Sequence, residues 1–177
     1  MGYVLFIRAL SFAAEKHRHQ RRKDAAASPY INHPIAVAEV LSEAGLDDEV
    51  LLAAALLHDT IEDTQTTYDE LVTHFGKEIA DLVLELTDDK SLPKDARKAL
   101  QIAHAPNRSD RAKCLKMADK ICNLRDVTDH PPAGWPRERR LAYLAWARQV
   151  VEGCRDAHQK LALIFDETYD RAMNTLS

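Results

Sequence analysis

Apolar residues recur at helical spacing along almost the whole chain. The pattern predicts a first helix over residues 2–19, with Tyr3, Phe6, Ile7, Leu10 and Ala14 on its apolar side. Residues 20–32 are predicted as a loop, basic at first and then small and polar. Pro34 suits the first turn of a second helix, where its missing N–H costs nothing. Val37, Val40, Leu41 and Ala44 then form an i, i+3, i+4, i+7 stripe, and Gly45 closes it. Asp47 or Asp48 can cap a third helix, VLLAAALLHD, which is apolar all round and therefore expected to be central and buried. Thr67 and Glu70 spell a capping box for the next helix, and Gly76 separates it from one bearing Ile79, Leu82, Val83 and Leu86. After a break at DDKSLP come a helix from about Pro93 to Ala105 and another over residues 109–127, with Leu115, Ala118, Ile121 and Cys122 inward. HPPAGWP is a loop, and residues 136–175 are one kinked helix or two around Gly153. The expectation is an all-α fold, one domain of irregularly packed helices over residues 1–177.

Composition supports this and narrows the function. Five glycines in 177 residues leave too few turn residues for a hairpin-rich fold. Lys and Arg number 24 against 28 Asp and Glu, a net charge of −4, which disfavours a globally basic nucleic-acid binder. Cys114, Cys122 and Cys154 form no CxxC pair, so neither a disulfide framework nor a thiolate zinc site is indicated. With no apolar run of about 20 residues and no signal-peptide pattern, no membrane partner is expected and the cytoplasm is the expected compartment.

The informative event is the end of the third helix, where an apolar run passes directly into His58-Asp59-Thr60-Ile61-Glu62-Asp63. Burying those ionisable groups without partners would be costly. If the helix continued, His58 would stack over Glu62 and Asp59 over Asp63. His58 and Asp59 together could hold one metal ion, with His33, aimed by the stiff junction to Pro34, and Asp119 as further ligands. Such a nitrogen and oxygen set, free of sulfur, suits Mn²⁺, Fe²⁺ or Zn²⁺. Spacing alone leaves the alternatives open: His33 also reads as a loop or cap residue, and Asp119, flanked by Lys116 and Lys120, as one half of a solvated ion pair. Arg21, Arg22 and Lys23 form a dense basic run suited to phosphate, or simply a solvated loop.

The H…HD…D arrangement resembles the HD superfamily of metal-dependent phosphohydrolases. The longer strings HQRRKD, PYINHPIAVA, ALLHDTIEDT and KMADKICNLRD are similar to the hydrolase domain of the RelA/SpoT family. TDDKSLP and GWP…R…YLAWA resemble its hydrolase-only members, the small alarmone hydrolases and the metazoan SpoT homologue, and the likeness spans about residues 3–165. The resemblance implies one HD-type domain that removes the 3′-pyrophosphate of ppGpp and pppGpp, giving GDP or GTP. It implies His33, His58, Asp59 and Asp119 as ligands of one ion, typically Mn²⁺ with Fe²⁺ or Zn²⁺ as alternatives, and Glu62 and Asp63 as the catalytic pair. It points to Arg21, Arg22, Lys23, Lys94, Asn123 and Tyr143 as substrate contacts. Long members carry synthetase and regulatory domains after the hydrolase; at 177 residues this chain is expected only to degrade. Two competing expectations are a phosphatase of another nucleotide, such as NADPH, and a catalytically silent nucleotide-binding module. The loop reads AAASPY where members often carry glycine just before Pro-Tyr, and His19 stands where many long members have glycine. Those two departures bear on the shape of the substrate loop.

Overall fold

The computed structural model describes residues 2–177. It is all-α, with no β-strand among the described residues, and Asp24 and Pro132 form an isolated antiparallel bridge. The chain divides into two compact units: residues up to Gln20 together with Pro29–Arg97, and Arg21–Ser28 together with Lys98–Ser177.

The first unit begins with α1 (Gly2–Lys16). Its inward residues are Ala9 and Ala13, fully buried, whereas Tyr3 is 75% and Ile7 60% exposed and Ala14 is exposed too. The predicted apolar side is therefore corrected. α1 lies against α3 (Glu49–Leu57), whose Ala53, Ala54 and Ala55 are also buried. The helix also stops short of residue 19, where the Gln20 N–H turns back to the His17 carbonyl at 2.9 Å. α2 (Asn32–Glu43) carries Pro34 in its first turn and buries Val37, Val40 and Leu41, as the stripe predicts. Asp48 caps α3, accepting from the Leu51 N–H at 2.8 Å, and Leu51 and Ala53–Leu57 are all buried. After a single turn, α4 (Thr60–Asp63), come α5 (Tyr68–Phe75) and α6 (Lys77–Leu86), separated by Gly76 at φ +88°. Thr67 Oγ1 accepts from the Glu70 N–H at 3.2 Å, but the Glu70 carboxylate pairs with Lys16 at 2.7 Å.

The division between the units falls inside α7 (Lys94–His104). In the second unit α8 (Asp110–Asp129) is packed by both α9 (Arg137–Glu152) and α10 (Gln159–Leu176). Its core joins Leu115, Met117, Ile121 and Leu124 with Leu144, Val150, Leu161 and Phe165. Gly153 ends α9 where a side chain has no room, since a Cβ there would lie 2.7 Å from the Ala105 methyl and 2.9 Å from Pro106 Cδ. The three cysteines are buried free thiols, and burial pushes Cys114 up to about 11 and Cys122 further. No described helix is long and apolar enough to cross a membrane.

Candidate active site

In the first unit the predicted histidines and the HD pair come together. The α3 helix stops at Leu57, and His58 and Asp59 form the junction to α4, so the continuous helix expected through Asp63 is broken. Thr60 Oγ1 stabilises the break by donating to the Leu57 carbonyl at 2.7 Å. The break brings the His58 ring close to Asp59. His58 Nδ1 lies 2.7 Å from the Ala55 carbonyl oxygen, which can only accept, so the ring carries its proton on Nδ1. His58 Nε2 then faces Asp59 Oδ2 at 3.0 Å. His33, fixed in the first turn of α2, brings its Nε2 to 4.0 Å from the same oxygen, and the two rings stand 5.5 Å apart, centroid to centroid. Tyr30 donates its hydroxyl proton to Asp59 Oδ2 at 2.5 Å.

This geometry tests the donor set for a metal. A nitrogen lone pair this close to a carboxylate oxygen is repulsive on its own and favourable around a shared cation. Two imidazoles and a carboxylate, with one ring's other nitrogen fixed by a backbone carbonyl, are the donors and the outer contact that Mn²⁺, Fe²⁺ or Zn²⁺ takes. The residues fit the ion.

The two carboxylates after the junction have separate surroundings. Glu62 Oε2 accepts from the Asp88 N–H at 3.1 Å. Burial pushes the Glu62 carboxyl above its ordinary range; the Asp88 N–H opposes this, and the negative charges of Asp59, Asp88 and Asp63 reinforce it. Asp63 takes a hydrogen bond from Gln20 Nε2 at 3.0 Å on Oδ2 and an ion pair from Lys90 on Oδ1. Lys94 opens α7 and is exposed.

The second unit holds the remaining predicted residues. Asp119 is buried on α8, its Oδ1 accepting from Asn123 Nδ2 at 2.8 Å and its Oδ2 facing Lys120 Nζ at 3.0 Å. Asn123 thus orients Asp119 from one helical turn away. Lys116 and Lys120 are 7% and 4% exposed, so the reading of Asp119 as half of a solvated pair is corrected: α9 and α10 cover the helix around it. The Lys120 ammonium lies 4.5 Å from the centre of the Trp146 ring. Tyr143 stands between Trp135 and Trp146, at 5.9 and 5.3 Å, and burial pushes its hydroxyl up to about 12.

In the basic run, Arg21 and Lys23 are exposed, while Arg22 is half-buried and paired with Asp126. The loop closes without glycine. Asp24 accepts from the Ser28 N–H at 3.0 Å and from its hydroxyl at 2.6 Å, and Ala27 makes the left-handed turn at φ +49°. Those bonds hold the Asp24 carboxyl below the usual range. Sequence reasoning missed Gln20, Tyr30, Asp88 and Lys90 as partners of the acidic residues. Gln20 and Tyr30 lie inside the strings HQRRKD and PYINHPIAVA, but hydrophobic spacing gives neither a signal.

The chain is similar to known proteins along most of its length. A family model described as an HD domain matches residues 9–148. Guanosine-3′,5′-bis(diphosphate) 3′-pyrophosphohydrolase MESH1 of Homo sapiens is 54% identical over 156 residues, covering 88% of this chain and 87% of that protein. The Xenopus tropicalis protein of the same name is 52% identical over 159 residues, covering 89% of each. A solved structure of a metazoan ortholog of SpoT that hydrolyzes ppGpp superposes with a TM-score of 0.91 at 48% identity, covering 94% of each chain. The chain belongs to the HD-domain family and, within it, to the group formed by the MESH1 proteins and the metazoan SpoT ortholog.

Proposed function

We propose that the chain is a metal-dependent 3′-pyrophosphohydrolase of guanosine-3′,5′-bis(diphosphate), acting on ppGpp and pppGpp to give GDP or GTP and pyrophosphate. The observation that carries the metal-hydrolase reading is the His58 ring, locked at Nδ1 by Ala55 with its Nε2 3.0 Å from the Asp59 carboxylate, and the raised carboxyl of Glu62 three residues on. The substrate follows from the activity named for the human and Xenopus relatives.

His33, His58 and Asp59, with Asp119, would hold one Mn²⁺, or Fe²⁺ or Zn²⁺. Lewis acidity toward water and toward a phosphoryl oxygen is the chemistry such an ion supplies. Glu62 takes the proton of the attacking water, and its raised carboxyl brings it nearer to a base poised for neutral pH. The water oxygen bonds to the phosphorus attached to the ribose 3′-oxygen. That P–O bond breaks, the 3′-oxygen leaves as a hydroxyl with a proton, and pyrophosphate is released. Asp63, held at both oxygens, orients the water. Arg21, Arg22 and Lys23 bind phosphate oxygens, with Lys94, Asn123 and Tyr143 as further contacts. Arg22 reaches the substrate only by sharing or leaving Asp126, so exposed Arg21 and Lys23 meet it first.

Residues 1–177 act as one HD-type module, the family match running through parts of both units, and the protein works in the cytoplasm without nucleic-acid or membrane partners. Turnover of ppGpp, pppGpp and NADPH by one Mn²⁺-loaded sample tests the reading. Rapid ppGpp turnover supports it. Preference for NADPH would move the activity to another nucleotide, and binding without turnover would make the chain a silent module.

A further inference from the structure

Two side chains with no assigned role, His17 and Gln20, connect the first helix to the acidic pair. Gln20 Nε2 lies 3.0 Å from Asp63 Oδ2, and Gln20 Oε1 lies 2.6 Å from His17 Nδ1. The chain has one direction. A carboxylate only accepts, so the Gln20 amide must present its NH₂ to Asp63 and its oxygen to His17. An amide oxygen also only accepts, so His17 must donate from Nδ1. The other ring nitrogen agrees, because His17 Nε2 is buried and has no hydrogen-bond partner among the described residues. With the proton on Nδ1, a lone pair and not an N–H is left without a partner there.

His17 is 2% exposed and its ring is fixed from two sides. The backbone turns just after it, and Tyr30 lies against it at 4.9 Å between centroids and 34° between planes. Tyr30 in turn donates to Asp59. The buried histidine thus stands at a fork, one arm reaching Asp63 through Gln20 and the other reaching Asp59 through the Tyr30 ring. Lys90 supplies Asp63 with charge from an exposed, flexible stem, whereas the Gln20 amide is fixed by a buried ring.

We propose that His17 and Gln20 are positioning residues that fix the direction of the Asp63 carboxylate through a one-way chain, His17 Nδ1–H to Gln20 Oε1 and Gln20 Nε2–H to Asp63 Oδ2. The proposal rests on the reading of Asp63 as a catalytic carboxylate. Without the chain Asp63 keeps its charge and its Lys90 partner but samples several directions. The loss then falls on the reacting geometry and not on substrate affinity.

The test is a double-variant cycle on the Mn²⁺-loaded full chain with ppGpp, measuring kcat, KM, metal content and Tm. Gln20→Met removes both hydrogen bonds at nearly constant volume. His17→Phe keeps the ring against Tyr30 and removes the donor, and His17→Asn restores an N–H where Nδ1 stood. Gln20→Met is expected to lower kcat ~10–100-fold, the usual worth of an orienting contact behind a working group, with KM within about twofold. His17→Phe should lower kcat about tenfold and His17→Asn recover most of it. The double variant His17→Phe/Gln20→Met should match Gln20→Met alone, since His17 acts only through Gln20. Effects that multiply in the double variant, or a Gln20→Met enzyme at full kcat, would overturn the proposal. Asp63→Asn separates this from the parent reading: an inactive Asp63→Asn beside a normal Gln20→Met sinks the positioning chain alone, whereas an active Asp63→Asn removes the catalytic role of Asp63 and the chain with it. If His17→Phe does not fold, Gln20→Met and His17→Asn still decide, because Gln20 is only half-buried and His17→Asn adds no volume.

Discussion

Glu62→Gln separates catalysis from binding and from stability in one substitution. The amide retains an oxygen at the position that accepts the Asp88 N–H at 3.1 Å, so the fold loses no hydrogen bond. It removes the proton acceptor, for which a fall in kcat of about 10²–10⁴-fold is expected, or about 3–5 kcal/mol of barrier. It also removes a negative charge that is half-buried among Asp59, Asp63 and Asp88. A carboxyl raised in the folded state contributes stability that is fully present below its unfolded value and is lost as pH rises through its folded value. Ionised Glu62 is therefore a cost to folding at neutral pH, and Glu62→Gln should be more stable than wild type there. The gain should shrink on acidification toward the ordinary glutamate range and vanish below it. Thermal unfolding of both proteins in chelator, from pH 4 to pH 8, reads the stability; metal analysis and steady-state ppGpp turnover read the rest. The reasoning fails if the variant loses its ion, which would make Glu62 a ligand. It fails equally if turnover stays near normal, or if the stability gain is as large at pH 4 as at pH 8.

His58→Ala and Asp59→Ala should each abolish tight Mn²⁺ binding and lower turnover by several orders of magnitude; normal metal content in either would place the ligands elsewhere. Lys23→Ala should raise KM for ppGpp ~10–100-fold, from one or two charge-assisted contacts worth about 1.5–3 kcal/mol, and leave Tm unchanged because Lys23 is exposed. Arg22→Ala should raise KM similarly and also lower Tm, since it removes the half-buried pair with Asp126. Gly153→Ala should cost about 1–3 kcal/mol without touching kcat, because its methyl meets Ala105 at 2.7 Å; an unchanged Tm would mean the junction after α9 yields freely.

The elements of this fold are legible in the sequence because helix periodicity and caps are local. Pro34, the Asp48 cap, the Thr67 cap and the stops at Gly76 and Gly153 stand where those signals place them. Which side of a helix faces inward is decided by its neighbour. α1 packs on α3, buries Ala9 and Ala13 and leaves Tyr3 and Ile7 outside, the reverse of what hydrophobicity suggests. Lys116 and Lys120 flank Asp119 in a segment that reads as a solvated ion pair, yet α8 is covered by two helices and its lysines are buried with it. At the site, the HD pair is visible because four ionisable residues end an apolar helix, and the resemblance to known phosphohydrolases singles out Glu62 and Asp63. The break at His58–Asp59, which brings the His58 ring within 3.0 Å of Asp59, is invisible to helical spacing. So is the company of the acidic residues: Asp88 on Glu62, Lys90 on Asp63 and Tyr30 on Asp59 come from segments that no periodicity links to them.

Hydrolysis of ppGpp in ¹⁸O-labelled water, with and without Mn²⁺, tests the proposed reaction most directly. With the ion bound, one ¹⁸O should appear in the released pyrophosphate and none in GDP, because water attacks phosphorus and the P–O3′ bond breaks; in excess chelator neither product should form. Label in the GDP 3′-hydroxyl, release of orthophosphate in place of pyrophosphate, or full turnover in chelator would contradict it.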